Sequence, residues 1–161
     1  MQNAKYMNND ILSQLRQWCN KAERCRADFR LRAQKLGVDT IEAEIILDRL
    51  EKEGWLNELR FAKAYVHDKS VIAKWPEKRI RLSLKIKGIE AEILQQAIEE
   101  EYSLDESKEI QRYIARKLEN QKQTDRRKTY AALYRYLMGK GFHSEKIAAA
   151  IRAYGEDSES I

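Results

Sequence analysis

The residues of this chain best suited to chemistry are cations at helical spacing. Lys74, Lys78, Arg81 and Lys85 follow one another at intervals of four, three and four residues. On a helix that begins early enough to include Lys74, this spacing puts all four on one polar stripe, opposite Ile80 and Leu84. Arg79 and Lys87 flank the stripe. Such a stripe can track phosphates or meet carboxylates lining a partner's groove, and phosphate contacts would make its binding fall steeply with salt. A solvated helix face has a similar sequence, although like charges four residues apart repel and a purely structural helix more often alternates its signs. Two further clusters offer the same chemistry: Arg126-Arg127-Lys128, and Arg24 with Arg26 and Arg30.

These clusters sit in an uneven charge distribution. The 161 residues include 31 Lys and Arg against 26 Asp and Glu, a formal charge of +5. Residues 1–36 hold eight bases against three acids, 74–87 hold six against one, and 112–128 hold seven against two. Residues 90–109 reverse the sign, with eight acids and one Lys. Three basic blocks in helix-forming stretches suit a polyanion or an acidic protein groove. Aromatic side chains lie close by: Trp18, Trp55 and Trp75 near expected helix ends, and Tyr130, Tyr134 and Tyr136 within one segment. They could stack on bases, but packing between helices with the polar tip outward is their commoner use. Phe61, at helical spacing with Tyr65, reads as core.

Catalysis has little to stand on. His67 and His143 are far apart and neither adjoins a nucleophile motif, and Glu99-Glu100-Glu101 is a run rather than a convergent pair. Cys19 and Cys25 have neither disulfide-framework nor zinc-ligand spacing. No Gly-rich phosphate loop and no H-E-x-x-H occurs. The expectation is a non-enzymatic protein without cofactor or metal. With no run of about 18 apolar residues and no apolar leader, it is expected to be reduced, cytoplasmic and independent of membranes.

The elements that must position the cations are helices. One Pro and six Gly are too few turn formers for a sandwich of short strands. Apolar residues recur with a period of 3.6 nearly throughout, for example at Ala43, Ile46, Leu47 and Leu50, or at Ile110, Tyr113, Ile114 and Leu118. The pattern predicts helices near 9–22, 25–36, 41–53, 58–69, 76–87, 90–101, 105–121, 124–139 and 144–154. Asp39 with Glu42 and Ser103 with Glu106 have capping-box spacing, Asn57 and Ser144 suit N-caps, and Pro76 suits a first helical turn. Gly37, Gly54, Gly88 and Gly141 suit positions just past helix ends.

Aligning Gly37, Gly88 and Gly141 reveals a repeat. Eight residues before them stand Phe29, Ile80 and Leu133; four before, Ala33, Leu84 and Leu137; one after, Val38, Ile89 and Phe142. Ten residues after the second and third lie Ile98 and Ile151, whereas the first reaches its match, Leu50, three residues late, as if its loop were longer. The fold expected is all-α: three tandem three-helix repeats, at 1–56, 57–103 and 104–155, forming an elongated, curved array. Residues 156–161 form an acidic tail expected to be disordered.

The most specific stretch, residues 54–98, contains Arg60-Phe61-Ala62, Tyr65-Val66, Lys74, Arg79-Ile80, Leu84 and Lys87-Gly88-Ile89. On these residues, and more loosely on residues 24–36 and Lys140-Gly141-Phe142, the chain resembles the RecX family of bacterial modulators of the RecA recombinase. The chain departs from the family pattern at Leu59, where an acid is usual, and at Pro76, where Gly is usual. The resemblance implies three tandem three-helix repeats that bind in the helical groove of the RecA–DNA filament. It further implies inhibition of recombinase, ATPase and coprotease activity, and so modulation of DNA repair and recombination. The implied partners are the RecA filament and DNA, reached directly or through the filament, by a chain expected to be a monomer. Each repeat also has the outline of a helix-turn-helix, which leaves direct nucleic-acid binding as an alternative. Against it, the third helices begin with acids at Asp39–Glu42 and Glu90–Glu92.

Overall fold

The computed structural model describes residues 2–119 and 125–157. All regular structure among them is helical: α1 (Gln2–Lys21), α2 (Arg26–Lys35), α3 (Thr40–Lys52), α4 (Glu58–His67), α5 (Glu77–Ile86), α6 (Ala91–Glu101), α7 (Glu106–Glu119), α8 (Arg126–Lys140) and α9 (Ser144–Asp157). These are the nine expected segments, except that α1 starts well before residue 9. Helix α9 runs through Asp157, and the rest of the acidic tail lies outside the described residues, as do residues 120–124 between α7 and α8. Among the described residues no helix is long and apolar enough to cross a membrane.

The helices follow one another as three triplets, each with the same corner between its second and third members. Gly37, Gly88 and Gly141 have φ of 76°, 75° and 97°. In each corner the glycine N–H donates to the carbonyl three residues back (Gln34, Lys85, Met138; 2.9–3.0 Å). The next N–H donates to the carbonyl five back (Ala33, Leu84, Leu137; 3.1–3.2 Å). This pair of bonds closes a helix around a left-handed residue and satisfies carbonyls that would otherwise be orphaned. Val38, Ile89 and Phe142, immediately after the glycines, are buried, as are Phe29, Ile80 and Leu133 on the preceding helices. The third helix starts three residues after every glycine. The longer loop expected in the first repeat is therefore absent: Leu47, buried ten residues after Gly37, is the counterpart of Ile98 and Ile151. Leu50, also buried, packs one turn further on.

Several caps differ from expectation by a residue or two. The Asp39 carboxylate accepts from the N–H groups of Ile41 and Glu42, and Asn57 accepts from Arg60, as their spacing suggested. Helix α7 is capped by Asp105, which accepts from the Lys108 N–H at 3.1 Å, and not by Ser103. Ser144 is the first residue of α9, whose preceding residue His143 accepts the first helical bond, from Ile147. Pro76 likewise precedes α5 and accepts from Arg79 and Ile80.

Helix α4 runs on into a π-helical turn, Asp68–Ile72. It closes through N–H bonds from Ala73 to Asp68 and from Trp75 to Lys69. Lys74, with φ of 54°, is the one described non-glycine residue in the left-handed region. A β-carbon there is strained, so Lys74→Gly is expected to raise stability by up to about 1 kcal/mol. A urea midpoint unchanged or lowered by the substitution would show that the turn carries no such strain.

Packing divides the described residues into two compact units. The first comprises the residues up to Tyr65 together with Leu84–Glu101. Its core gathers Leu15 of α1, Phe29 and Ala33 of α2, and Leu47 and Leu50 of α3. The second comprises Val66–Ser83 and the residues from Tyr102 onward. Its core gathers Ile110 and Ile114 of α7, Leu133 and Leu137 of α8, Phe142, and Ile147 of α9. Each such Leu, Ile or Phe side chain contributes about 1.5–3 kcal/mol on burial. Exposed ion pairs contribute about 0–1 kcal/mol, so the cores hold the helices in place.

Candidate partner-binding face

The expected cations divide into those held by the protein itself and those presented outward. In the first unit most are held. Arg26 pairs with Glu51 at 2.6 Å and Arg30 with Glu44 at 2.7 Å. The hydrogen bonds that the guanidinium groups donate to these carboxylates, ahead of opposing desolvation, push both guanidinium pKa values up. Arg24 lies over the Trp18 ring, 4.3 Å from its centroid. Lys87 donates to Asp28 at 2.9 Å and lies 5.7 Å from the Phe61 centroid. Burial works against its charge, but the Asp28 bond and charge raise its pKa. Lys85 remains exposed on α5.

In the second unit the outcome is different. Helix α5 begins at Glu77, so Lys74 lies outside it and the four-residue stripe loses its first member. Arg81 donates to Glu77 at 2.6 Å within its own helix, which occupies a second member. Lys78 is exposed. Arg79 stacks on Trp75, its guanidinium carbon 3.7 Å from the ring centroid, with Lys69 Nζ 4.7 Å from the same centroid. Arg127 and Lys128 are exposed on the first turn of α8, whose N-cap Asp125 accepts from the Arg127 N–H. Arg126 opens α8, and its side chain lies outside the described part.

A buried carboxylate fixes where α5 begins. Glu106, 3% exposed, accepts from the Glu77 N–H at 3.0 Å, from the Tyr102 hydroxyl at 2.9 Å and from Lys146 Nζ at 3.1 Å. Burial alone would raise its pKa, but these three donors together hold it below the usual carboxylate range. The same burial, with the Glu106 charge beside it, drives the Tyr102 hydroxyl far upward, so it stays a donor. The first free N–H of α5 thus meets a full negative charge, and Lys78 and Arg79 follow within the same first turn.

Those two cations border an open hollow of about 710 Å³. Arg135, Tyr136 and Lys140 of α8 line its other side, with Leu82 and Met138 adding apolar surface. A second hollow of about 610 Å³ is lined by Tyr113, Arg116 and Lys117 of α7 and by Thr129, Leu133 and Tyr136 of α8. Tyr136 therefore belongs to both. Among the described residues, none that lines either hollow is acidic.

Arg135 and Lys140 were not singled out by spacing. The repeat held one clue: Lys140 precedes Gly141 as Lys87 precedes Gly88. The three tyrosines of α8 do not act together, since Tyr130 packs against the core while Tyr134 and Tyr136 are exposed. Phe61 is core, as its spacing indicated. Each triplet's third helix carries a glutamate in its first turn, Glu42, Glu92 or Glu145, which is unfavourable for insertion beside DNA phosphates.

Residues 57–98 match the sequence profile described as RecX, second three-helix domain. The chain is similar to the Regulatory protein RecX of Geobacillus kaustophilus, 30% identical over 142 residues that cover 86% of this chain and 52% of that protein. It is 29% identical over 119 residues to the Regulatory protein RecX of Serratia proteamaculans, covering 74% and 69%. The Oceanobacillus iheyensis protein of the same name is 29% identical over 120 residues, covering 74% and 44%. The chain thus spans about half the length of the Geobacillus and Oceanobacillus relatives. The crystal structure of RecX from Lactobacillus salivarius has the same fold, with a TM-score of 0.77 at 17% identity over 92% of this chain and 97% of that one.

Proposed function

We propose that the chain is a member of the RecX family, which it resembles along most of its length, and that it is a regulatory protein that binds the filament RecA forms on DNA and represses it. In this reading the helical array occupies the filament groove and hinders recombinase, ATPase and coprotease activity. It acts by occupancy, in the cytoplasm and as a monomer, without chemistry of its own. The observation that carries the reading is the similarity to proteins named Regulatory protein RecX along most of this chain. The exposed cations Lys78, Lys85, Arg127 and Lys128 supply charge for an acidic protomer surface or for DNA.

Adding the purified chain to RecA filaments of the same organism is expected to suppress DNA-dependent ATPase and strand exchange at stoichiometric amounts. Undiminished activity would overturn the proposal. Lys78→Glu combined with Lys85→Glu is expected to raise the concentration needed for half-repression about tenfold or more, because like charges then face each other across the contact. Unaltered repression by this variant would remove α5 from the interface.

A further inference from the structure

We propose that Tyr136 is a stacking platform for an unpaired nucleobase, with the neighbouring phosphates of the same single strand held by the cations of the two hollows that share the tyrosine. The ring is presented for contact and backed from inside. Tyr136 is 50% exposed, yet the Tyr113 ring meets it edge-on at 6.0 Å, and Tyr113 in turn packs on the buried Phe142 at 6.0 Å. A ring held this way loses little freedom when a base covers it. Lys140 Nζ lies 5.3 Å from the Tyr136 centroid, so a cation already accompanies the aromatic surface.

Among the described residues that line the two hollows, the charge has one sign. Lys78, Arg79, Arg135 and Lys140 border one hollow, and Arg116 and Lys117 border the other. Aromatic faces between cations are how proteins hold single strands without reading sequence, since every base has a π-face and every nucleotide a phosphate. Arg79 suits the phosphate role because its stack on Trp75 engages the guanidinium face and leaves the N–H edge for oxygen acceptors. A duplex keeps its base faces covered and would use only the cations. An acidic peptide would also meet the charge, but Leu in place of the tyrosine would serve it about as well. The proposal concerns a face of the second unit, and it stands or falls whether or not the chain acts on a recombinase filament.

The test is fluorescence anisotropy of the full chain with labelled oligothymidylate and with a duplex of equal length. The single strand is expected to bind more tightly. Tyr136→Leu is expected to weaken single-strand binding at least about fivefold, and Tyr136→Phe to leave it within about twofold, because stacking needs the ring and not the hydroxyl. Arg135→Ala with Lys140→Ala, one exposed and one half-buried, is expected to flatten the log–log salt slope by about 1.4, whereas Tyr136→Leu leaves the slope unchanged. This pair carries the test should circular dichroism show that Tyr136→Leu does not fold. Equal binding of duplex, undiminished binding by Tyr136→Leu, or no binding at all would overturn the proposal. So would loss of filament repression in Tyr136→Leu with oligonucleotide binding intact, which would assign the face to a protein. A wild-type chain that binds oligothymidylate but does not repress filaments would sustain this inference and overturn the regulatory one.

Discussion

Replacing Glu106 with Ala is expected to cost about 3 kcal/mol of stability, because three hydrogen bonds to a buried charged acceptor disappear and the Glu77 N–H and Tyr102 hydroxyl are left without it. The carboxylate joins the start of α5, the residue after α6 and a lysine of α9, so no local rearrangement replaces it. Glu106→Gln keeps the shape and one acceptor but loses the charge, and is expected to recover about half of the deficit. The pH dependence has a definite sign. Burial raises the Glu106 pKa, but the Glu77 N–H, Lys146 and Tyr102 lower it more, and the folded value lies below the unfolded one. Its contribution is therefore complete above the ordinary carboxylate pKa of about 4.3 and is lost as pH falls through the depressed folded value. In urea titrations the gap between the natural chain and Glu106→Gln should be constant near neutrality and close in acid. A gap that stays open at low pH would show that the charge is not what the site uses.

The second large effect is expected at Gly141. Gly37, Gly88 and Gly141 occupy the same corner, but they are not equally replaceable. A β-carbon at Gly37 or Gly88 would meet nothing within 4 Å, so alanine there incurs only the left-handed backbone cost, about 1 kcal/mol. At Gly141 the added carbon would lie 3.1 Å from Arg79 Cβ and 3.5 Å from Pro76 Cγ, at a φ of 97°. Gly141→Ala is expected to cost about 2–3 kcal/mol, the excess coming from backbone that must move to relieve the contact. Thermal or urea unfolding of the three alanine variants measures the difference. The proposed binding face gives a second readout, since Arg79 borders it and would be displaced with Pro76. Equal destabilisation in all three corners would mean that α5 yields freely at this contact.

How legible these features were depended on how local their causes are. A glycine corner is written in about ten residues: a buried side chain eight before, another four before, glycine, then an apolar residue. Its hydrogen bonds all fall within that window. Three copies could therefore be aligned by inspection, and all three close the same way. The helices were readable for the same reason, and so were the caps at Asp39 and Asn57. Errors arose where two local solutions were nearly equivalent. Ser103 and Asp105 are both good caps ahead of α7, and Leu47 and Leu50 both face the core from α3.

The fate of the charges could not be read along the chain. Arg24, Arg26 and Arg30 form a cluster in sequence that resembles the exposed lysines of α5. Yet Trp18, Glu51 and Glu44, up to 25 residues away, engage them in the folded protein. Lys87 finds Asp28 across 59 residues. Glu106 is marked in the sequence only by its capping-box spacing from Ser103, and nothing along the chain shows that packing buries it. By itself the sequence determined the helices, their order and the repeated glycine corners, since those follow from backbone and side-chain geometry over a few turns. Only the tertiary structure decided which cations are neutralised and which surround Tyr136. An ion pair depends on distance in space, and distance in space between remote residues is set by how the helices pack.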